Sequence, residues 1–191
     1  MITATEIPGC FIIEANSFRD LRGELTVTLD APFFRRSGLR ADFSYDYYSL
    51  SHPRVVRGFH YQLPPSEQVK LVYCVHGSVL DAVLDIRTGS PSYGKTIFVP
   101  LDPERKKMIY IPEGLAHAFL ALGEQDSVMF YHTTFPYSPR HEGGILWSSI
   151  QDRWPVNNPV VSEKDLLLPP FENHISPFVF TGVNRLWKKF L

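Results

Sequence analysis

Residues 69–86, VKLVYCVHGSVLDAVLDI, give the clearest indication of the fold. Apolar and β-branched runs of strand length stand on either side of the dipeptide His76-Gly77, and turn-forming residues follow at 88–94. Such runs are typical of buried β-strands, and a turn-forming dipeptide between two of them predicts a β-hairpin. We therefore predict that residues 69–75 and 78–86 are two strands joined at this turn.

Short strands are also predicted on both sides of this segment. Sixteen prolines and twelve glycines interrupt the chain at short intervals, so few windows suit a long helix. Short strands at regular spacing predict an all-β fold, either an antiparallel sandwich or a barrel. The predicted strands are residues 9–16, 24–29, 45–50, 95–100, 107–111, 115–122 and 127–134.

The pattern changes after Pro136, where proline, tryptophan and polar residues dominate as far as Pro170. This segment predicts an irregular arm that packs on the barrel. Ser162, followed three residues later by Asp165, predicts the start of one short helix with the serine as its cap. Residues 181–191 carry lysine and arginine beside aromatic residues, so we expect a short amphipathic helix or a loose tail there.

The bulk composition is ordinary for a soluble domain. The chain has 191 residues, of which 44% are apolar and 20% are charged, and its formal net charge is -1. This length fits one domain that needs no metal or disulfide to fold. The balanced charge favours neither a nucleic-acid nor a membrane partner. The first residues lack the pattern of a signal peptide, and Cys10 and Cys74 are expected to be buried free thiols, so we expect a cytoplasmic protein.

Two histidines, His60 and His117, lie in predicted strands beside turn residues. A metal-binding barrel of this kind would carry another histidine two residues after His60, but Gln62 stands there. Two imidazoles without a third ligand make a poor zinc or iron site. The residues therefore argue against a metal cofactor, and a metal-dependent enzyme is kept only as an alternative.

Other polar residues give His60 neighbours that a structural core histidine would not need. Lys70 lies in an otherwise apolar strand, and Tyr131 lies in a later one. Arg57 would lie on the opposite face of a regular strand from His60, unless Gly58 bends that strand. A barrel that collects such side chains has a cationic interior, which suits an anionic or carbonyl-bearing ligand.

These residues belong to ordered motifs that resemble the dTDP-4-dehydrorhamnose 3,5-epimerase family. The motifs are RGFHYQ at 57–62, QVKLVYCVHGSVLDAVLDIRTGSPSYGK at 68–95, IPEGLAHAF at 111–119 and FYHTTFPYSP at 130–139. The resemblance extends from residue 18 to residue 165. It implies a homodimeric, cupin-type jelly roll that acts without metal. We expect one domain over 1–191, with a barrel at about 10–136 and an arm at 137–191.

The resemblance also implies four catalytic residues. The family inverts carbons beside a sugar ketone by removing a proton, forming an enolate and returning a proton to the other face. His60 matches the base, and Asp165 matches the carboxylate that orients it. Lys70 matches the cation beside the ketone oxygen, and Tyr131 matches the acid. From the residues alone, Asp165 could instead cap a helix, and Lys70 and Tyr131 could be a surface and a core residue.

Further matches imply the binding of a nucleotide-diphosphate-linked 4-keto-6-deoxy sugar. Arg57 and His117 match residues that line the sugar pocket. Arg22 matches the residue that binds the diphosphate, a role suited to the guanidinium fork. Tyr137 matches an aromatic residue that stacks on the nucleotide base. A solvated turn for Arg22 and plain packing for Tyr137 are the alternatives.

Three positions depart from the family pattern on the nucleotide side. Val27 stands where the family has a glutamate, and Tyr45 and Tyr47 stand where it has glutamine and asparagine. A tyrosine cannot reproduce the two-way hydrogen bonding of an amide. We still expect both tyrosines to contact the substrate, but CDP- and GDP-linked sugars stay alternatives to dTDP-linked ones.

The register of the strand at 127–134 decides how many carbons are inverted. The loop at residues 123–126 is one residue longer than is usual in the family, and only with that gap does Tyr131 match the acid. With the other register Phe130 takes its place and cannot donate a proton. The sequence thus predicts an epimerase for C3, C5 or both, serving a surface glycan such as lipopolysaccharide O-antigen, or a glycosylated metabolite. A monoepimerase and a non-catalytic sugar-nucleotide binding cupin are the alternatives.

Overall fold

A computed structural model describes residues 1–182, which form many strands and few short helices. Helix α1 spans Ala31–Arg36 and α2 spans Glu163–Leu166, and short 3-10 helices cover Pro139–His141, Trp147–Arg153 and Phe171–Asn173. The strands, in chain order, are β1 (Ile2–Ala4), β2 (Phe11–Glu14), β3 (Asn16–Asp20), β4 (Gly23–Val27), β5 (Tyr45–Ser51), β6 (Val56–Gln62), β7 (Lys70–His76), β8 (Ser78–Asp85), β9 (Thr96–Leu101), β10 (Lys107–Ile111), β11 (Leu115–Leu122), β12 (Ser127–Thr133) and β13 (Glu142–Gly144).

The strands form two antiparallel sheets and a small hairpin. One sheet has six strands in the order β1-β2-β10-β7-β12-β5, and the other has five in the order β13-β6-β11-β8-β9. β3 and β4 form the hairpin, and most of its residues are exposed. From β5 to β12 the chain passes between the two sheets at every step except from β8 to β9, which pair in the same sheet. The fold is therefore the antiparallel, cupin-like jelly roll that the sequence predicts.

The two sheets face each other across a shared hydrophobic core. The six-stranded sheet contributes residues such as Val72 and Met129, and the five-stranded sheet contributes Val83 and Phe119, all at most 2% exposed. Each such side chain stabilises the fold by about 1.5–3 kcal/mol on burial. Two further apolar clusters cover the outer faces, so that α1 packs on the six-stranded sheet and the C-terminal arm on the five-stranded sheet.

The predicted hairpin at residues 69–86 is wrong, although both of its strands are present. β7 pairs with β10 and β12, whereas β8 pairs with β9 and β11 in the other sheet. Gly77, with a φ of +70°, carries the chain between the sheets, and a Cβ there would lie 2.4 Å from the carbonyl oxygen of Asp126. The two strands separate because each contributes one face to the core between the sheets.

Some short elements were not predicted. α1 carries two signals that could have identified it: Asp30 accepts a hydrogen bond from the Phe33 N–H, and a proline occupies the first turn. β13 pairs with β6, so the arm extends the five-stranded sheet. The predicted cap at Ser162 is confirmed, since its hydroxyl accepts a hydrogen bond from the Asp165 N–H.

Two other expectations concern the thiols and the end of the chain. Cys10 and Cys74 are free and buried, as predicted. The predicted C-terminal helix or tail lies outside the described residues from residue 183 onward. Within residues 1–182, we find no helix with the length and apolar character needed to cross a membrane.

A β-bulge at Gly58 bends β6. His60 is opposite His117 on β11, but Arg57 is opposite Phe119, so three steps on β6 match two steps on β11. The extra residue shifts the alternation of side chains by one position. Arg57 and His60 therefore face the same side of the sheet, which a regular strand would not allow.

The bulge leaves no room for a side chain at Gly58. Its φ is +110°, and a Cβ there would lie 2.4 Å from the carbonyl oxygen of His117 and 2.7 Å from Ala118. We expect Gly58→Ala to lower the free energy of unfolding by about 2 kcal/mol or more, through backbone strain and this clash. Chemical denaturation measures the loss.

Gly23→Ala is the matched control, because Gly23 has a φ of +125° but no atom within 4 Å of the added Cβ. Gly23→Ala should lower the free energy of unfolding only through backbone strain, by about 1 kcal/mol. Equal losses in the two variants would contradict the clash with β11.

Candidate active site

A cleft of about 380 Å³ opens between the two sheets, and most of the predicted site residues line it. Asp165 lies directly behind His60, and Arg22 lies elsewhere. The predicted residues on the cleft wall are Tyr45, Tyr47, Arg57, His60, Lys70, His117, Tyr131 and Tyr137. The fold thus brings together residues from five strands and the arm.

His60 and Asp165 form a hydrogen-bonded pair. Nε2 of His60 is 2.8 Å from Oδ1 of Asp165, whose side chain is only 4% exposed. Burial acts to raise the pKa of Asp165, but the hydrogen bond and charge of His60 hold it below its ordinary value. The carboxylate is therefore ionised near neutral pH and accepts the Nε2 proton, which leaves Nδ1 of His60 free to take a proton.

Local structure fixes the Asp165 carboxylate. Ser162 caps α2, so that Asp165 occupies the first turn of this short helix at the end of the arm. Oδ2 of Asp165 accepts a hydrogen bond from the Gly58 N–H at 3.3 Å. One carboxylate thus contacts both the histidine and the bulge that turns it toward the cleft.

Lys70 is the first residue of β7 and faces His60 from the other sheet. Its side chain is buried, and Nζ donates a long hydrogen bond of 3.5 Å to the His60 carbonyl oxygen. Burial lowers the pKa of Lys70 to about 8, against the attraction of Asp81 and Glu142. This ammonium is aimed at the cleft and loses its proton more readily than an exposed lysine.

Tyr131 also stands on the wall of the six-stranded sheet. Its ring is stacked on Tyr47 with centroids 4.5 Å apart, and its hydroxyl is 3.3 Å from that of Ser49. Burial raises its pKa, so the phenol keeps its proton at neutral pH. Phe130 points to the opposite face, where it stacks on Tyr73. In this register the tyrosine, not the phenylalanine, lies in the cleft.

His117 and Arg57 complete the inner part of the cleft. Nε2 of His117 is 2.7 Å from Oδ2 of Asp81, and both side chains are buried. Arg57 is held by the hydroxyl of Ser51 at 2.9 Å and by the carbonyl oxygen of Leu50. Both predicted pocket residues are thus fixed by other side chains or by backbone. Asp81 also belongs to this site, and the sequence patterns did not identify it.

The mouth of the cleft holds a polar group that was also not predicted. Glu142 accepts hydrogen bonds from Tyr137 at 2.9 Å and from Lys164 at 2.7 Å. Burial acts to raise the pKa of Glu142, but Lys164 and Tyr137 hold it below its ordinary value. Lys164 immediately precedes Asp165 in the sequence, which is the one signal that could have identified this group.

Gln62 has a structural role at the position where a metal site would need histidine. Its Oε1 accepts a hydrogen bond of 2.8 Å from the Ser138 N–H, which ties the arm to β6. Within residues 1–182, no group of three or more His, Cys, Asp or Glu side chains is arranged to hold a metal ion.

Arg22 is the predicted site residue that the single chain does not bring to the cleft. It lies in the turn of the β3–β4 hairpin, where it forms an exposed ion pair with Asp20. The hairpin also exposes Phe18, Leu21 and Leu25. Val27, where the sequence predicts a departure from the family pattern, ends β4 in the same hairpin.

A cleft in which a His–Asp pair faces a buried lysine and a buried tyrosine is equipped for proton transfer at carbon, the chemistry of an epimerase. The sequence profile of the family described as dTDP-4-dehydrorhamnose 3,5-epimerase matches residues 4–173. This chain therefore belongs to the dTDP-4-dehydrorhamnose 3,5-epimerase family, and it is a carbohydrate epimerase, an isomerase.

Individual relatives agree with this assignment. A dTDP-4-dehydrorhamnose 3,5-epimerase from Shigella flexneri is 42% identical over 168 residues, which are 86% of this chain and 92% of the relative. The structure of RmlC from Legionella pneumophila in complex with dTDP-4-keto-L-rhamnose has a TM-score of 0.85 at 33% identity, and covers 91% of this chain and 93% of its own. ChmJ, a 3'-monoepimerase from Streptomyces bikiniensis in complex with dTDP-quinovose, has a TM-score of 0.83 at 30% identity and covers 88% and 86%.

Proposed function

We propose that this enzyme inverts C3 and C5 of a nucleotide-diphosphate-linked 4-keto-6-deoxy sugar. The observation that carries the proposal is the His60–Asp165 pair on one wall of the cleft, facing Lys70 and Tyr131 on the other. A 4-keto group acidifies the C–H bonds on both neighbouring carbons. One base, one acid and one cation at the oxygen then suffice for inversion through an enolate.

His60 is the proposed base. With its Nε2–H donated to Asp165, its Nδ1 takes the proton from the carbon, and the nearby carboxylate stabilises the imidazolium that forms. Lys70 is the proposed partner of the 4-keto oxygen, where its ammonium stabilises the negative charge of the enolate.

Tyr131 is the proposed acid. Its buried phenol keeps its proton at neutral pH, and it stands on the sheet opposite to that of His60. A proton removed toward one wall and returned from the other inverts the carbon. The side-chain position of Tyr131 supports inversion rather than simple exchange.

The mouth of the cleft is the proposed nucleotide site. Tyr137 is 48% exposed there, which suits a ring that stacks on a base, and Tyr45 lies next to Tyr47. His117 and Arg57 are the proposed ligands of the sugar and its neighbouring groups. We propose dTDP as the carrier because the two solved relatives described above hold dTDP-linked sugars; CDP and GDP are the alternatives.

We also propose a homodimer, in which the hairpin of one chain brings Arg22 to the diphosphate bound by the other. The exposed Phe18, Leu21 and Leu25 on that hairpin support a covered surface. A fully active enzyme that light scattering shows to be strictly monomeric would contradict this.

Free buried cysteines favour a reducing compartment, so we propose a cytoplasmic enzyme that supplies a surface glycan or a glycosylated metabolite.

Solvent-deuterium exchange tests the reaction directly. In heavy water with the dTDP-linked 4-keto-6-deoxy sugar, NMR should show deuterium entering both C3 and C5. His60→Ala should lower both exchange rates by about two orders of magnitude or more, because the base is lost. The CDP- and GDP-linked sugars are compared in the same assay.

His52→Ala is the control, since His52 is also paired with a carboxylate, Asp126, but lies on the exposed surface. Exchange at neither carbon with any carrier would end the epimerase proposal in favour of a binding protein. Exchange that survives in folded His60→Ala would show that the base lies elsewhere.

Tyr131→Phe separates proton removal from inversion. We expect deuterium exchange to continue, because His60 can return the proton to the same face, while formation of inverted product falls by about 10- to 1000-fold. Product analysis by NMR measures both quantities. Tyr73→Phe is the control, because Tyr73 faces the outer side of the same sheet and bonds His132. Unchanged inversion in Tyr131→Phe would remove it as the acid.

Lys70 should set the alkaline limit of the reaction. Because burial lowers its pKa to about 8, the ammonium loses its charge as the pH rises through that value. We expect kcat/KM to fall about tenfold per pH unit above about pH 8. In Lys70→Arg the guanidinium keeps its charge, so this limb should disappear even if the rate is lower. The same limb in Lys70→Arg would exclude Lys70 as its origin.

A further inference from the structure

Tyr47 lies against the proposed acid, although the proton transfers of the proposed mechanism do not use it. It stands on β5 as the register partner of Tyr131 on β12. The two rings are stacked, with centroids 4.5 Å apart and 8° between their planes. Aromatic residues directly opposite each other on neighbouring strands pack together, and here the stack fixes one face of the Tyr131 ring.

Other core residues confine the Tyr131 ring from further directions. Val72 on β7 is its register partner on the second neighbouring strand, and both belong to the same buried cluster. From the five-stranded sheet, the ring of His117 meets that of Tyr131 edge to face, with centroids 6.1 Å apart. Because β5 is the outermost strand on its side of the sheet, Tyr47 is the strand neighbour that confines Tyr131 there.

Hydrogen bonding holds the Tyr131 phenol only weakly. Its hydroxyl is 3.3 Å from that of Ser49, which is longer than the usual distance of about 2.5–3.0 Å between two bonded hydroxyl groups. A hydroxyl with so long a bond moves with its ring. The packing of the ring, more than the bond to Ser49, therefore decides where the phenol points.

Tyr47 is itself supported from the mouth of the cleft. The ring of Tyr45 lies 5.8 Å from it, centroid to centroid, at an angle of 47°. Along this row the exposure falls from 40% at Tyr45 to 6% at Tyr131. Burial raises the pKa of Tyr47 to about 12 and also raises the pKa of Tyr131, so both phenols are neutral and no charge loosens the stack.

We propose that Tyr47 is a positioning residue of the reaction: its stacked ring holds the phenol of Tyr131 in the orientation from which the proton reaches the sugar carbon. The importance of that orientation rests on the proposed function, in which Tyr131 is the acid. Misplacing a reacting group by about 1 Å costs up to about 100-fold in rate. Tyr47 acts through its ring, not through its hydroxyl.

Two other roles for Tyr47 give different expectations. A residue that only contacts the substrate would change KM and leave the ratio of inversion to exchange unchanged at saturating substrate. A residue that gave the proton itself would need its hydroxyl, so Tyr47→Phe would lose inversion. Tyr47→Phe keeps the flat ring and Tyr47→Ala removes it, which separates the three roles.

The ratio of inversion to deuterium exchange tests the proposal, measured in heavy water at saturating 4-keto sugar. We expect Tyr47→Ala to lower this ratio by about 10- to 100-fold, because His60 still removes the proton while the displaced Tyr131 phenol returns one less often. Tyr47→Phe should keep the ratio close to that of the unaltered enzyme. An unchanged ratio in folded Tyr47→Ala, or an equal loss in Tyr47→Phe, would overturn the proposal.

Tyr48→Ala is the matched control. It removes the same kind of ring from the next position of β5, where Tyr48 is 68% exposed and opposite Phe130 on the outer face of the sheet. The ratio should not change in this variant, and a similar fall would overturn the proposal. If Tyr47→Ala does not fold, Tyr47→Leu takes its place, because leucine fills much of the volume but cannot stack; the same fall is expected.

The orientation of Tyr131 is also measured without substrate. In protein with tyrosine carrying carbon-13 and nitrogen-15, its signals are assigned by their absence in Tyr131→Phe, and three-bond couplings to Cγ report the χ1 rotamer. We expect one rotamer in the unaltered protein and in Tyr47→Phe, and mixed rotamers in Tyr47→Ala. A single, unchanged rotamer in Tyr47→Ala would overturn the proposal. Absence of exchange in the unaltered enzyme with every carrier would instead refute the proposed function and leave the rotamer measurement unaffected.

Discussion

The buried carboxylate of Asp165 is the contact on which the rest of the site depends. It joins the C-terminal arm to the barrel, 105 residues away in the sequence, through Nε2 of His60. Its second oxygen binds the N–H of Gly58, the residue at which β6 bends. A buried charge that lost these partners would cost several kcal/mol, about 3–5 for a broken buried pair. The docking of the arm, the bend of β6 and the orientation of the His60 ring therefore depend on the same carboxylate.

The jelly roll places groups of different chemistry on opposite walls. His60 belongs to the five-stranded sheet, whereas Lys70 and Tyr131 belong to the six-stranded sheet. Burial acts on these groups in opposite directions: it lowers the pKa of the lysine and raises that of the tyrosine. The same exclusion of water thus brings an amine close to its titration point and keeps a phenol protonated. Both effects come from the packing of two apolar sheets around a few polar side chains.

Local patterns sufficed for the longer strands but not for their partners. Apolar runs and turn residues identified β7 and β8, yet the sheet to which each belongs depends on contacts across the core, and the predicted hairpin failed for that reason. Gly58 signalled a bend in β6, but only the pairing with β11 shows that Arg57 and His60 share a face. Most of the predicted site residues lie together in the cleft. They could be named from the sequence because their motifs resemble those of a known family. Asp81 and Glu142 were not predicted, because their importance lies in neighbours distant in sequence.

A row of aromatic rings, Tyr45, Tyr47 and Tyr131, lines the wall of the cleft. The ring of Tyr47 lies flat against the ring of Tyr131, at 8° between the planes. Tyr45 continues the row toward the mouth, with its centroid 5.8 Å from that of Tyr47. An amide at position 47 would offer hydrogen bonds in two directions, whereas the stacked ring restricts the movement of the Tyr131 ring. On the proposed roles of Tyr47 in nucleotide binding and of Tyr131 in proton donation, carrier recognition and inversion depend on the same pair of rings.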